Sequence, residues 1–397
     1  VDQHCEARVA GEWKGNHLLR GGRHPKPRDL ILKTNDYLAL TNHPDVIEAQ
    51  VADLRAHGNG LMMSAVFFNE RNPQWLFQEA MAEHLRTETT MVAQSGYLAN
   101  VGLIQSIADS RTPVYLDMLA HASLWHGAQA AGAELRPFRH NDVEHLTRQL
   151  DKHGPGVVII DSVYSTNGSI APIREIVDAA EVRGAAIVVD ESHSIGTHGP
   201  AGAGMIVDLG LEERVHFRTA SLAKAFCGRG GIVACSRRFG EYLTYTSPPN
   251  IFSSALLPHE FASLGKILEI IRRDEWRRRR LHANSAWLRH QLEGLGYNLA
   301  DSASQIIALE SGSEAQTIVL RDALEARGIF AAPFCAPATP KKRACMRLSV
   351  NCTLSQEELC RIVEVCADIR EEVGMWNWPS TRRLMRKPEK AAARRAA

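Results

Sequence analysis

An α/β fold, with a mostly parallel buried sheet and a smaller α+β domain after it, is what the sequence predicts, on three observations. Between residues 98 and 235, short apolar runs rich in β-branched residues alternate with amphipathic stretches. Those runs are only four or five residues long, as expected of strands buried on both faces. After residue 256 the pattern changes to one long arginine-rich helical stretch, then short strands and two more helices.

In chain order, residues 1–34 are rich in Gly, Pro and Arg, and with the stretch to 45 they read as an N-terminal lead-in containing one short helix. The large domain is expected at 46–256, with strands at 114–117, 157–161, 187–190, 215–219 and 232–235 and helices at 142–153 and 172–183. The small domain is expected at 257–380. It opens with a single helix at 269–295, continues with strands at 305–309, 329–332 and 346–350, and carries helices at 314–327 and 355–373. The arginines of 272–280 read as a solvated helix face. Residues 381–397 read as a disordered basic tail, with seven basic residues from 382 onward against Glu389.

The 397 residues, 45% hydrophobic and 23% charged with a net charge of +1, are those of an ordinary globular chain. Neither nucleic acid nor a membrane is an expected partner on that balance. No apolar run approaches the roughly 20 residues of a spanning helix. The polar N-terminus lacks a secretory core, so a cytoplasmic location is expected. The eight cysteines form no C-x2-C pair, so reduced thiols and no metal are expected.

Ligands of open α/β sheets sit beyond the carboxyl ends of strands, which makes the residues after each run the candidates. Asp190 closes one run and is followed by His193 and a glycine-rich loop. Alone, this reads equally as a site or as a helix-capping aspartate beside a solvent histidine. Lys224 follows another run, with Thr219 and Ser221 before it and Gly228, Gly230 and Gly231 after it. Its amine has Schiff-base chemistry when partly buried, although most lysines are solvated surface residues. Ser95, Gly96 and Tyr97 open a helix whose small first residues leave N–H groups for a phosphate. Amine, carboxylate and anion cradle together match the needs of pyridoxal 5′-phosphate (PLP).

The chain resembles the α-oxoamine synthases of the fold-type I PLP-dependent transferases over nearly its whole length. The resemblance is carried by NDYLAL (35–40), SGYLAN (95–100), HASL (121–124), HNDVEHL (140–146), DESHSIGTHGPAGAG (190–204), residues 221–231 and MRLSV (346–350). MSAVF (63–67), DSVYSTNGSIAPI (161–173) and TASLAKAF (219–226) make it similar to the CqsA-type, α-hydroxyketone autoinducer synthases within that family.

That resemblance implies a homodimeric acyltransferase with PLP as cofactor and an acyl-CoA and an α-amino acid as substrates. It implies that Lys224 holds the cofactor aldehyde and serves as general base and acid, and that Asp190 pairs with the ring nitrogen. His193 and Ser165 would bond the ring hydroxyl, and His121 would stack on the ring. Ser95, Gly96, Tyr97 and Ser221 would hold the phosphate, with Ser253 or Ser254 reaching it from the neighbouring subunit. Arg347 would clamp the amino-acid carboxylate, with Asn35 and Thr339 lining the substrate pocket. One stretch departs from the family. Residues 58–65 (GNGLMMSA) carry apolar side chains where many members have a glycine-rich polar segment. With Val66, Phe67 and Phe68 it reads equally as the wall of an acyl tunnel or as a repacked loop. Another α-oxoamine synthase, such as an 8-amino-7-oxononanoate or 2-amino-3-ketobutyrate synthase, an aminotransferase and a non-catalytic partner subunit are the competing readings.

Overall fold

The computed structural model describes residues 1–12, 17–68 and 71–384, in two units. The larger comprises Asn35–Ser165 and Ile170–Leu281. It begins with helices α1 (Pro44–His57) and α2 (Pro73–Leu85), strand β1 (Thr89–Ala93), helix α3 (Gly96–Ile107), strand β2 (Pro113–Leu116) and helix α4 (Ala122–Ala130). There follow strand β3 (Glu134–Leu135), helix α5 (Val143–His153), strand β4 (Val157–Asp161), helix α6 (Ile173–Glu181) and strands β5 (Ala186–Asp190), β6 (Phe217–Ser221) and β7 (Gly231–Cys235). Helix α7 (Pro258–Arg273) comes later in this unit.

The strands form one sheet in the order β1-β7-β6-β5-β4-β2-β3, parallel except for β7, which runs against both its neighbours. All five residues of β4 and of β7 are buried, which is why they read as unbroken apolar runs. Helix α6 shows the complementary pattern, burying Ile173, Ile176, Val177 and Ala180 on one face. Side chains fix where the helices start. Asn72, Ser95, His121 and Asp142 each cap the helix that follows by accepting a backbone N–H. The register sets Asp161 beside Asp190 and Asp190 beside Thr219, so three polar residues share the carboxyl edge of the sheet.

The smaller unit comprises Val1–Thr34, Thr166–Ser169 and His282–Ala397. Helix α8 (Glu275–Gly294) contains the dividing point. In this unit β8 (Ile306–Gly312), β9 (Ala332–Phe334) and β10 (Ala344–Ser349) pair antiparallel in the order β9-β10-β8. Leu30–Ile31 pairs in parallel with Ile329–Phe330. Helices α9 (Glu314–Ala326) and α10 (Gln356–Asp368) each open with a capping box, Ser313 with Gln316 and Ser355 with Glu358.

Several boundaries differ from those read in the sequence. Residues 35–45 and 257–281 group with the larger unit, where the Phe77 and Phe261 rings of α2 and α7 lie 5.9 Å apart. Residues 166–169 group with the smaller, because Ser302 and Ser304 donate hydrogen bonds to the Asn167 and Gly168 carbonyls. The strand expected at 215–219 lies at Phe217–Ser221, since Val215 still bonds back to Leu211. The long arginine-rich helix is two helices broken at Asp274 (φ −94°, ψ 64°), whose carboxylate accepts from Arg273 and Arg277. Its arginines are not one solvated face. Arg277 and Arg278 are buried and donate to the Leu38 and Ile271 carbonyls. Residues 381–384 are helical with Thr381 buried, which corrects the expected tail at its start; 385–397 lie outside the described residues.

One buried ion pair ties the larger unit together. Arg218 on β6 donates to Glu191 at 2.7 Å, with both side chains almost wholly removed from water. Its remaining N–H groups reach the Leu85 and Ala203 carbonyls, and Glu191 also accepts from Ile206 N–H and Ser194 Oγ. Burial of two charges is tolerated because each has several partners. Arg218→Leu leaves Glu191 uncompensated and is expected to lower stability by about 3–5 kcal/mol, read by urea unfolding. A loss under about 1 kcal/mol would contradict this role for the pair.

Candidate active site

The site grows from the carboxyl edge of the sheet. Asp190 ends β5 with 3% of its surface exposed. Its Oδ2 accepts from Asn100 Nδ2 at 2.7 Å and its Oδ1 from the Ser192 N–H at 2.8 Å. Asn100 lies one turn into α3, and its amide nitrogen also donates to Ser123 Oγ at 2.9 Å. Ser123 Oγ is 2.7 Å from Nδ1 of His121, which caps α4. One polar chain thus runs from Asp190 to His121. Burial lowers the His121 pKa, the charge of Asp190 opposes that shift, and the charge of Lys224 reinforces it. Asp190 and Lys224 therefore act electrostatically on the same imidazole.

Asp161, in register with Asp190, accepts the His121 N–H at 2.9 Å. Burial first, and then the negative charge of Asp190, hold its carboxyl well above the usual range. Two polar atoms beside Asp190 have no hydrogen-bond partner although buried: Asn100 Oδ1 and Oγ1 of Thr219, the register neighbour of Asp190. Buried polar atoms are usually paired; other orphans occur elsewhere in the chain, and these two lie where a ligand beside Asp190 would give them partners.

Lys224 stands on a tight loop after β6, closed by Leu222 N–H to Gly230 O and Gly228 N–H to Leu222 O, both 3.0 Å. Leu222, Ala225 and Phe226 are buried and anchor the loop, leaving Lys224 half-buried. Cys227 beside it is no nucleophile: burial, then Asp36 at 2.8 Å, pushes its thiol up to about 12.

Ser95 caps α3 through the Leu98 N–H, and Gly96 and Tyr97 begin the turn whose N–H groups have no intrahelical acceptor. Gly96 is pressed on the end of β6. A Cβ there would lie 2.5 Å from Ser221 Cβ and 2.6 Å from Ser221 Cα. Ser95 bridges to Gly230, and a Cβ on Gly231 would lie 2.4 Å from the Ser95 carbonyl. Only residues without a side chain permit this approach, which brings Ser221 to the first turn of α3. The Tyr97 hydroxyl is 2.6 Å from His126 Nδ1.

His193 is 4% exposed, and its Nδ1 lies 2.7 Å from the hydroxyl of fully buried Tyr37, which also reaches Asn35 Oδ1 at 3.3 Å. Ser165 is half-buried at the end of this unit's first segment. The Ser253 hydroxyl donates to the Pro249 carbonyl, and exposed Ser254 accepts from Gln94 at 3.1 Å, both within one copy. Thr339 and Arg347 belong to the smaller unit. There Thr339 is buried, and the buried Arg347 guanidinium lies 4.6 Å from the Phe334 ring centroid. Asn100, Ser123 and Asp161 went unassigned in the sequence. Asn100 had a signal, since it stands one helical turn beyond Gly96; the reach of Ser123 and Asp161 depends on register.

Residues 27–365 match the family model for class I and II aminotransferases. The CAI-1 autoinducer synthase of Vibrio campbellii is 41% identical over 352 residues, covering 89% of each chain. The chain belongs to the α-oxoamine synthase family of fold-type I PLP enzymes. The 8-amino-7-oxononanoate synthase of Pseudomonas aeruginosa is 32% identical over 341 residues, 85% of each chain. A serine palmitoyltransferase of S. paucimobilis, solved with a PLP–myriocin aldimine, superposes with a TM-score of 0.83 at 29% identity over 87% of this chain and 88% of that one.

This α-oxoamine synthase is a PLP-dependent acyltransferase. Its residues fit the cofactor: a buried carboxylate with orphaned polar neighbours, a half-buried amine one strand away, and a helix start held free of side chains. Among the described residues, no helix is long and apolar enough to cross a membrane. Gly96→Ala forces the α3 start off Ser221. Overpacking of this kind costs about 1–3 kcal/mol, so PLP affinity of the apo-enzyme is expected to fall roughly tenfold or more with the circular dichroism spectrum retained. Unchanged affinity in a reconstitution titration would refute the cradle.

Proposed function

We propose that this α-oxoamine synthase condenses an α-amino acid with a medium- or long-chain acyl-CoA, releasing CoA and carbon dioxide, to give an α-aminoketone precursor of a quorum-sensing signal. The observation that carries this reading is the 41% identity to a CAI-1 autoinducer synthase across 89% of the chain, against 32% to an 8-amino-7-oxononanoate synthase. The proposed amino donor is 2-aminobutyrate or S-adenosylmethionine.

Bound PLP supplies an electron-withdrawing ring that acidifies the donor's α-carbon. Lys224 would hold the cofactor by its aldehyde and, when released from it, would serve as the base that takes the donor's α-proton and the acid that returns one. Asp190, fixed by Asn100 and Ser192, keeps a proton on the ring nitrogen. His121, whose pKa burial lowers, would pack against the ring. His193, oriented by Tyr37, and Ser165 bond the ring hydroxyl. Ser95, Gly96, Tyr97 and Ser221 hold the phosphate, with Ser253 or Ser254 of a second copy completing it in a homodimer. Arg347 binds the donor carboxylate, with Asn35 and Thr339 in the substrate pocket; these last roles rest on the sequence resemblance alone.

Mass spectrometry of products from the purified enzyme, offered acyl-CoAs of graded length with each donor, tests the reading. Long-chain aminoketones are expected. Turnover confined to dicarboxylic acyl-CoAs would instead fit an 8-amino-7-oxononanoate synthase. Lys224→Ala is expected to lower kcat about a thousandfold or more. Asp190→Asn should keep the fold and collapse α-proton exchange measured by NMR in deuterated water; wild-type exchange would remove its assigned role.

A further inference from the structure

The polar chain from Asp190 to His121 has a direction, which its donors reveal. Both Asp190 oxygens face N–H groups, Oδ2 the Asn100 Nδ2 at 2.7 Å and Oδ1 the Ser192 N–H at 2.8 Å. An ionised carboxylate only accepts, so the Asn100 amide must present its nitrogen there and donate. The same Nδ2 lies 2.9 Å from Ser123 Oγ and gives it the second hydrogen. Asn100 and Ser123 are both buried, with 2% and 0% of their surface exposed, so the protein and not solvent sets these partners.

Ser123 Oγ accepts the Asn100 hydrogen through a lone pair and keeps its own proton for the next partner, His121 Nδ1 at 2.7 Å. The Ser123 backbone N–H points at the same nitrogen from 3.3 Å, which is how the His121 ring caps α4. Nδ1 thus receives two hydrogens from one residue and cannot carry one itself. The imidazole proton is therefore on Nε2. Asp161 holds the residue from its other side. It accepts the His121 N–H at 2.9 Å and so fixes the backbone from which the ring projects.

We infer that Asn100 and Ser123 are positioning residues that carry the influence of the Asp190 carboxylate to His121 and lock its ring as the Nε2–H tautomer. Which nitrogen of a histidine bears the proton is set by the bond the other one makes, and here that bond is dictated two residues away. A locked ring offers a donor at Nε2 and no lone pair there. It is thereby excluded as the base, in agreement with that role for Lys224. The carboxylate assigned to the cofactor's ring nitrogen and the imidazole assigned to its face are then set by one chain of bonds and not separately. The tautomer follows from the protein alone, whereas the use of His121 against the cofactor rests on the PLP reading above.

Nitrogen NMR of the full chain, isotope-labelled at histidine, tests this with and without PLP, the His121 signals being identified by their loss in His121→Gln. The wild-type is expected to show an unprotonated, hydrogen-bonded Nδ1 and a protonated Nε2 at His121 in both forms. A proton on Nδ1 would overturn the inference, whatever the variants do. In Ser123→Ala and Asn100→Ala, each with the wild-type circular dichroism spectrum, the His121 signals should move toward those of a histidine exchanging tautomers in water. Loss of one ordinary hydrogen bond in Ser123→Ala is expected to weaken PLP binding to the apo-enzyme about fivefold. The double variant should lose less than the product of the two single losses, because both residues act through one chain. Unmoved His121 signals in Ser123→Ala, or losses that simply multiply, would overturn the positioning role. Should a variant fail to fold, the wild-type spectrum still decides. A wild-type that shows this tautomer but binds no PLP would sink the functional reading and leave the tautomer assignment standing.

Discussion

The approach of the α3 start to the end of β6 is the constraint on which the rest of the larger unit's chemistry depends. Gly96 has no room for a Cβ beside Ser221, and Gly231 has none beside the Ser95 carbonyl. These absences let a helix begin directly over the carboxyl edge of the sheet. With that start fixed, Asn100 falls one turn later at the place where its amide reaches the Asp190 carboxylate. The same contact that shapes an anion cradle therefore orients the carboxylate across from it. A helix displaced by the thickness of a methyl group would lose both.

Around that contact, buried polar groups are arranged so that each constrains another. Asp190 holds Asn100, Asn100 holds Ser123, and Ser123 meets the His121 ring. Glu191, the next residue after Asp190, is engaged from the other side by Arg218. Asp117 accepts from the Asn141 N–H and lies 2.9 Å from the His140 ring, which places the HNDVEHL stretch at the end of β2. Such networks stabilise a single geometry because any half-satisfied arrangement would leave a charge or dipole buried alone. Asn100 Oδ1 and Thr219 Oγ1, two of the buried polar atoms left without a partner, lie beside Asp190, where the cofactor's ring chemistry is needed.

Much of this was legible in the sequence. The central strands β4, β5 and β7 are built on apolar runs, and Asp190 ends one strand while Lys224 follows another, so their place at the sheet edge followed from chain order. The edge strand β1, with its threonines, carries too weak an apolar signal to read, and β3 has only two residues. The break at Asp274 escaped because its carboxylate does pair with Arg273 and Arg277, as an acidic residue amid arginines suggests, and only its backbone (φ −94°, ψ 64°) leaves the helix. Arg277 and Arg278 looked solvated because composition does not reveal a backbone carbonyl waiting in the interior. Likewise Tyr37, read only as part of a motif, meets His193 across 156 positions of chain, a pairing that no local pattern encodes.

Everything in the account requires one lysine to be the cofactor's anchor. Borohydride reduction of the PLP-loaded enzyme, followed by proteolysis and mass spectrometry of the pyridoxyl peptide, tests this most directly. A single modified peptide carrying the label at Lys224 is the predicted result. A label on any other lysine, or spread over several surface lysines with Lys224 unmodified, would contradict it.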